Sequence, residues 1–327
     1  MLFSNKLKNF VNSKKILSKK EFEKKIANGF CYEVSKNKLK HDMEQINFFL
    51  KRKLIKKNFK NIIKSYKCVL NVLPKENDDT DIFTLTKKYT KILGPTFNNL
   101  IYFQPPDIIT NSTISEKKKI LKTWKKDSQY IVIDNFLSKE ALNELLFFCL
   151  SNTIWNEFDY KNGYLGSFIE NGFNSPLILQ ISEELKLKFP KLFKNYPLTK
   201  AWGFKCNNEG KGIKIHADYA AINVNFWITP DNANLNKNNG GLLIWNKEAP
   251  KTWDFEKYNN DHKAIKSYLI KKKAKIKRIK YKSNRAIIFN SNLFHATDKF
   301  IFKKKYESRR INITLLYGQR ERSEQFE

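Results

Sequence analysis

The chain has 327 residues, 41% of them hydrophobic and 14% aromatic. That is enough for one large core or two modest ones and excludes wholesale disorder. No run approaches about 18 uncharged apolar residues, which excludes a membrane-spanning helix of ordinary length. The net charge is +30, from 62 basic and 32 acidic residues. Only 7 of the basic residues are Arg and 55 are Lys. Specific recognition of phosphates and bases leans on Arg forks. A Lys-, Asn- and Ile-rich composition is instead what an AT-rich genome produces, so nucleic acid is left open as a partner but not favoured.

The first segment is the most basic. Residues 1–67 hold 19 Lys/Arg and 5 Asp/Glu. Lysines interrupt its apolar positions every few residues, and no apolar stretch followed by a small-residue cleavage site is present, so no secretory signal is read. Four scattered cysteines (Cys31, Cys68, Cys149, Cys206) without a CxxC pair fit a reducing cytoplasm. Apolar residues recur at roughly helical spacing in Met43, Ile46, Phe48, Leu50 and Leu54, and again in Phe59, Ile62, Ile63 and Tyr66. Residues 1–73 therefore read as a basic helical region, whose lysine faces could contact an anionic surface. His41 lies in this segment and reads as a surface residue.

The polar break Pro74–Thr80, Gly94-Pro95 and Pro105-Pro106 mark residues 74–127 as a connector with some helix. From 128 the texture changes. Tyr130–Ile133 predicts a strand, and Ser138 predicts the cap of a helix carrying Leu142, Leu145, Leu146 and Cys149. After residue 200 short apolar or β-branched runs alternate with Asn/Gly/Lys turns, which predicts strands. Residues 321–327 form a tail.

Two of the four histidines sit in informative company. His216-Ala217-Asp218 follows a Gly-rich turn, and residues i and i+2 of an extended segment point the same way. His295 follows the apolar strand Arg285–Asn290. Two imidazoles and one carboxylate on one face of a metal suit non-haem Fe(II), with open positions for substrate and oxygen. Zinc could take the same three ligands. His262, in a polar stretch, reads as a surface residue.

A further strand, Arg309–Tyr317, places Arg310, Asn312 and Thr314 on one face and Arg309, Ile311, Ile313 and Leu315 on the other. By parity, Arg310 becomes a fixed fork for a carboxylate, with Thr314 adding a hydroxyl. The strand Ile222–Thr229 puts Asn223, Asn225 and Trp227 on one face. Inward asparagines need partners, and a bound cosubstrate would provide them.

Together, His216-Ala217-Asp218, His295 and the Arg310-x-Asn312-x-Thr314 strand resemble the Fe(II)- and 2-oxoglutarate-dependent dioxygenase superfamily, in its prolyl-4-hydroxylase-like branch. The resemblance spans roughly residues 128–320. It implies an α+β, mainly β domain: a double-stranded β-helix, or jelly-roll barrel, with flanking helices. It implies a hydroxylase-type oxidoreductase using Fe(II), 2-oxoglutarate and O2. His216, Asp218 and His295 would hold iron, and Arg310 would grip the far carboxylate of 2-oxoglutarate. Asn239-Gly240-Gly241 is similar to the turn that precedes the second half of such barrels. The chain departs from the branch at Cys206, where a tyrosine is usual; Asn225, Trp227 or the less favoured Tyr164 would replace its contact. Nucleic-acid demethylases of the superfamily carry a second arginine where this chain has Leu316. The substrate stays open among protein, sugar and small molecule. The loop 231–239 and the stretch 248–282, the latter with Trp253, Phe255 and Tyr258, are expected to border the site. The competing reading is a basic binding protein on a non-catalytic barrel.

Overall fold

The computed structural model describes residues 2–75, 78–115, 129–161 and 163–320. The expected boundary at 127/128, part of the connector and the tail 321–327 lie outside the described residues. The helices in chain order are α1 (Leu2–Ser13), α2 (Lys19–Ala27), α3 (Lys36–Lys51), α4 (Lys60–Val72), α5 (Lys87–Leu93), α6 (Lys139–Ser151), α7 (Pro176–Lys188), α8 (Pro190–Phe193), α9 (Phe255–Asn259) and α10 (His262–Lys271). The strands are β1 (Glu33–Val34), β2 (Phe83–Thr84), β3 (Tyr130–Asp134), β4 (Tyr164–Phe168), β5 (Leu198–Cys206), β6 (Glu209–Gly210), β7 (Ile222–Trp227), β8 (Leu242–Glu248), β9 (Ile276–Ile279), β10 (Arg285–Asn290), β11 (Leu293–Thr297), β12 (Phe300–Ile301) and β13 (Ile311–Tyr317).

Local chemistry explains the helix starts. Ser18 and Glu21 form a reciprocal capping box on α2, and Ser35, Ser138 and Ser175 each accept a backbone N–H at the start of α3, α6 and α7. Pro176 fills the first turn of α7, where its missing N–H costs nothing.

The strands form a six-stranded antiparallel sheet, ordered β3-β10-β7-β13-β5-β4, and a three-stranded sheet, β11-β8-β9. The larger sheet is the middle layer. Ile131, Val224, Phe226, Ile288, Ile313 and Leu315 on its outer face share an apolar cluster with Leu145 and Phe148 of α6 and Leu177 and Ile181 of α7. Its inner face supplies Trp227, Ile287 and Phe289 to a second cluster, completed by Leu242 and Ile244 of β8, Ile279 of β9 and Leu293 of β11. Alternating strand residues thus serve two cores, which is why all six residues of β7 are buried.

Phe10, Phe48 and Phe49 of α1 and α3 belong to the same cluster as the large sheet. The basic first segment also has a core of its own, built from Leu39, Ile46, Tyr66, Val69 and Phe97. Here one expectation is corrected. His41 is fully buried, with Nδ1 2.9 Å from Asp42 Oδ1. It lies on the inner face of α3, where helical spacing puts it beside Lys38, Asp42 and Gln45, all buried. Its polarity suggested exposure, but only packing against β5 and the 3₁₀ turn at Tyr306 decides which face of α3 is covered.

Candidate metal and cosubstrate site

His216 and Asp218 lie in the extended segment before β7, and His295 lies in β11. The two histidines exchange backbone hydrogen bonds, His216 N–H to His295 O at 2.9 Å and His295 N–H to His216 O at 2.8 Å. Their rings come to 4.3 Å between centroids. Asp218 reaches both: Oδ1 is 3.6 Å from His216 Nε2 and Oδ2 is 3.3 Å from His295 Nε2. Among the described residues this is the one group of three His, Cys, Asp or Glu side chains whose ligand atoms converge, all within 4.8 Å of one another.

The outer atoms of the three are tied down. His216 Nδ1 lies 2.8 Å from Lys214 O, and His295 Nδ1 lies 3.0 Å from Leu293 O. A carbonyl accepts only, so each Nδ1 carries a proton and each Nε2 is the ring atom turned to the centre. Asn223 donates to Asp218 Oδ2 at 2.6 Å. Burial, then the neighbouring His295, lowers His216 to about 4, which keeps it neutral. Burial alone would raise Asp218, but His295, His216 and the Asn223 amide outweigh it and hold the carboxyl below its ordinary value. A neutral His216 imidazole and an ionised Asp218 carboxylate are the states in which these two groups can ligate a metal.

The second half of the site lies across β7 and β13. Register pairs Asn225 with Thr314 and Trp227 with Asn312. Thr314 Oγ1 accepts from Asn225 Nδ2 at 3.1 Å and from Asn312 Nδ2 at 3.2 Å, leaving its own O–H to donate onward. Arg310 is 1% exposed. Its Nε donates to Gly240 O at 2.8 Å, and its guanidinium sits 5.7 Å from the Trp227 and Phe300 ring centres. Nη1 lies 4.0 Å from Cys206 Sγ. Gly241 is sterically required in the supporting turn, since a Cβ there would lie 1.9 Å from Ile279 O. Arg309 points the other way, to Glu44 Oε2 of α3 at 2.8 Å and Asn207 Oδ1 at 2.9 Å. Strand parity separates the two arginines as the sequence implies.

Buried polar atoms remain unmatched here. Arg310 Nη2, Trp227 Nε1, Asn225 Oδ1 and Asn223 Oδ1 have no hydrogen-bond partner among the described residues. Two of these are donors, Arg310 Nη2 and Trp227 Nε1, and two are amide-oxygen acceptors; orphaned buried polar atoms of this kind are costly unless a ligand meets them. A dicarboxylate would satisfy the donors of the Arg310 guanidinium, the Trp227 indole and the Thr314 hydroxyl, which lie on the same face of neighbouring strands. The donor set therefore fits 2-oxoglutarate, and the His–Asp–His set fits a divalent first-row metal.

A cavity of about 560 Å³ opens beside His216 and Asp218. It shows what the sequence reading missed. Trp202, Phe204 and Phe168 line it, together with Tyr160 and Tyr164; the signal was the alternation of aromatics on β4 and β5. His262 also lines it and is half-buried, with Nδ1 3.2 Å from Ile215 O, which corrects its expected surface position. The fold brings it there because α10 packs back over the His216 segment. Of the three aromatics expected at the rim, only Phe255 lines the cavity. Trp253 packs on Tyr268 and Phe294, and Tyr258 is 2% exposed, so both are structural anchors. Tyr164 pairs with Cys206 in the β4–β5 ladder. Tyr281, also unforeseen, packs on Trp227 at 5.4 Å and donates its hydroxyl to Thr229 O.

No protein-family model matches the sequence, and no curated protein matches it. Solved structures do. HygX from Streptomyces hygroscopicus, with nickel and 2-oxoglutarate bound, aligns over 63% of this chain and 88% of its own at 10% identity and a TM-score of 0.43. SnoK, a non-heme alpha ketoglutarate dependent carbocyclase from nogalamycin biosynthesis, aligns over 63% and 86% at 8% identity and 0.43. A Pseudomonas putida prolyl-4-hydroxylase aligns over 59% and 94% at 11% identity and 0.37. The chain is similar to these proteins.

Proposed function

We propose that the protein is an Fe(II)- and 2-oxoglutarate-dependent oxygenase that hydroxylates an aliphatic carbon. The observation that carries this is the pairing of a converging His216–Asp218–His295 set with a buried guanidinium, Arg310, whose Nη2 lacks a partner among the described residues. A structural zinc site would account for the first and leave the second unexplained. We read residues 128–320 as the oxygenase unit, its two sheets as the halves of a double-stranded β-helix, and residues 1–73 as a helical region preceding it.

In this reading Fe(II), 2-oxoglutarate and O2 supply the oxidising chemistry, releasing succinate and CO2. The chain's own residues bind and orient. His216, Asp218 and His295 hold the metal through Nε2, a carboxylate oxygen and Nε2. The carbonyls of Lys214 and Leu293 fix both imidazole tautomers, and Asn223 fixes the carboxylate. Arg310 binds the far carboxylate of 2-oxoglutarate, with Thr314 donating its O–H. Asn312 and Asn225 orient that hydroxyl, and Trp227 closes the buried end. Cys206 stands where the branch more often has tyrosine and offers only a weak thiol contact to Arg310.

The test is an anaerobic titration with Fe(II) and then 2-oxoglutarate, followed by visible absorption. The expected result is a weak metal-to-ligand charge-transfer band, absent in His216→Ala. Iron binding without the band would remove 2-oxoglutarate from the proposal, and no iron binding would remove the oxygenase.

A further inference from the structure

We infer that the primary substrate is a neutral or acidic sugar, seated with the C–H face of its ring on an aromatic wall beside the metal set. The inference rests on the oxygenase reading and adds the substrate class to it.

The inner face of the large sheet is divided by register. The central strands β7 and β13 present Asn225, Asn312 and Thr314. The edge strands β5 and β4 continue the same rows with aromatics: Phe204 lies opposite Asn312, Trp202 opposite Thr314, and Phe168 opposite Trp202. Tyr164 follows on the same face of β4, and Tyr160 stacks on it at 4.6 Å with 19° between the planes. Phe204 meets both tyrosines edge-on, at 5.5 and 4.9 Å. Gly166 lets these rings close up, since a Cβ there would lie 3.1 Å from Tyr160 and 3.2 Å from Phe204. The five rings are half-buried, and the 560 Å³ cavity lies over them and reaches His216 and Asp218. That volume is in the range of small-molecule sites, roughly 300–1,000 Å³.

The rest of the cavity limits what lies on this wall. Lys161, Lys214, His262 and Asn260 line it, and among the described residues Asp218 is its only carboxylate. Lys161 is bound to Asp81 at 2.6 Å, so Lys214 is the exposed cation left to meet a ligand. Trp202 Nε1 is buried with no partner among the described residues and needs an acceptor. A cationic ligand would find one carboxylate among the lining residues, Asp218, with Asp159 and Glu157 standing behind the tyrosines outside the lining. An acceptor-rich ligand suits the Lys214 ammonium. Hydroxylation also needs an aliphatic C–H near the metal, which the ring of a planar aromatic ligand does not present. A saturated ring that carries oxygens and lays its C–H bonds against π faces satisfies all three requirements. A sugar does so; a proline ring supplies the C–H face but no ring oxygens.

The experiment is saturation-transfer NMR on the full-length, metal-free protein, so that it does not depend on turnover. The probes are methyl glycosides of neutral hexoses, N-acetylhexosamines and hexuronates, with acetyl-proline amide and a cationic aminoglycoside as comparison arms. Saturation is expected on the ring C–H protons of at least one neutral or acidic glycoside. Trp202→Ala and Phe204→Ala are expected to weaken that binding tenfold or more, and Phe204→Tyr to retain it, each with an unchanged circular dichroism spectrum. A silent glycoside panel, binding that ignores both alanine variants, or preferential binding of acetyl-proline amide or the aminoglycoside would overturn the inference. Failure of the oxygenase reading shows separately, as loss of the Fe(II)/2-oxoglutarate band while glycoside binding persists.

Discussion

Two buried clusters in this molecule each join histidine to aspartate, and they are built for different ends. In the first, His41, Asp42 and Lys38 lie on one face of α3, and Lys205 of β5 meets them across the interface. Lys38 Nζ is 2.6 Å from Asp42 Oδ2. Lys205 Nζ donates to the Tyr306 hydroxyl at 2.7 Å and sits 4.7 Å from the Trp155 ring and 4.5 Å from that of Tyr306. Burial drives His41 and Lys205 well below their ordinary values and raises Asp42. The adjoining cavity has room of about 10 Å³, no more than one water. In the second, His216 and Asp218 from one segment and His295 from β11 turn their ligand atoms to one point and open onto 560 Å³. Burial and residue type do not separate the two. Convergent lone pairs and an open approach do.

The largest expected effects break the second cluster. Asp218→Ala should lower Fe(II) affinity by at least a hundredfold and abolish succinate formation, while the circular dichroism spectrum and melting temperature of the metal-free protein stay near wild type. Isothermal titration with Fe(II) checks it. Arg310→Ala should leave Fe(II) affinity within a few-fold of wild type and raise the 2-oxoglutarate requirement. Removing one partner of a shielded charge pair costs about 2–5 kcal/mol, or roughly thirtyfold or more. An unchanged 2-oxoglutarate dependence would take Arg310 out of the site.

A smaller effect tests whether the clusters communicate. Glu44 of α3 holds Arg309, the residue beside Arg310. Glu44 is 42% exposed at its side chain, so this ion pair contributes about 0.2–1 kcal/mol. Glu44→Gln is expected to raise the KM for 2-oxoglutarate about two- to fivefold with kcat unchanged, and Glu44→Asp to restore part of it. Equal KM values in all three proteins would confine Glu44 to a structural role.

The smallest effect belongs to the first cluster. Because the fold lowers Lys205, the unfolded chain binds an extra proton from the folded-state value up to about pH 10.4. Stability should therefore rise with pH across that window. Lys205→Met removes a charge that burial penalises, and buried ionic groups are often replaced without loss. Its melting temperature at pH 7 should equal or exceed that of wild type, and the advantage should shrink toward pH 9.5. A wider advantage at pH 9.5 would reverse the sign argued here.

Much of the site was legible because its signals are short-range. His216 and Asp218 share a side through i, i+2 alternation, and Arg310, Asn312 and Thr314 share one for the same reason. Ser138 caps α6 as a serine before a helical stretch should. The missed residues depend on long-range pairing. Asn223 was expected to face inward toward a cosubstrate, but its amide donates to Asp218 instead, a pairing set only when the chain turns into β7; Phe168, Trp202 and Phe204 become one wall only when β4 pairs with β5. His41 and His262 sit in polar sequence, and nothing local tells which face of α3 or α10 will be covered.

By itself, then, the sequence determined which side chains share a strand face or a helix start, because backbone geometry repeats every two or 3.6 residues. It also determined that Arg309 and Arg310 must part company. Only the tertiary structure decided that His295 meets His216 across 79 positions, that Gly240 supports Arg310, and that an aromatic wall stands beside the His–Asp–His cluster. Those contacts depend on sheet register and on the packing of one layer against the next. No periodicity within a single segment encodes them.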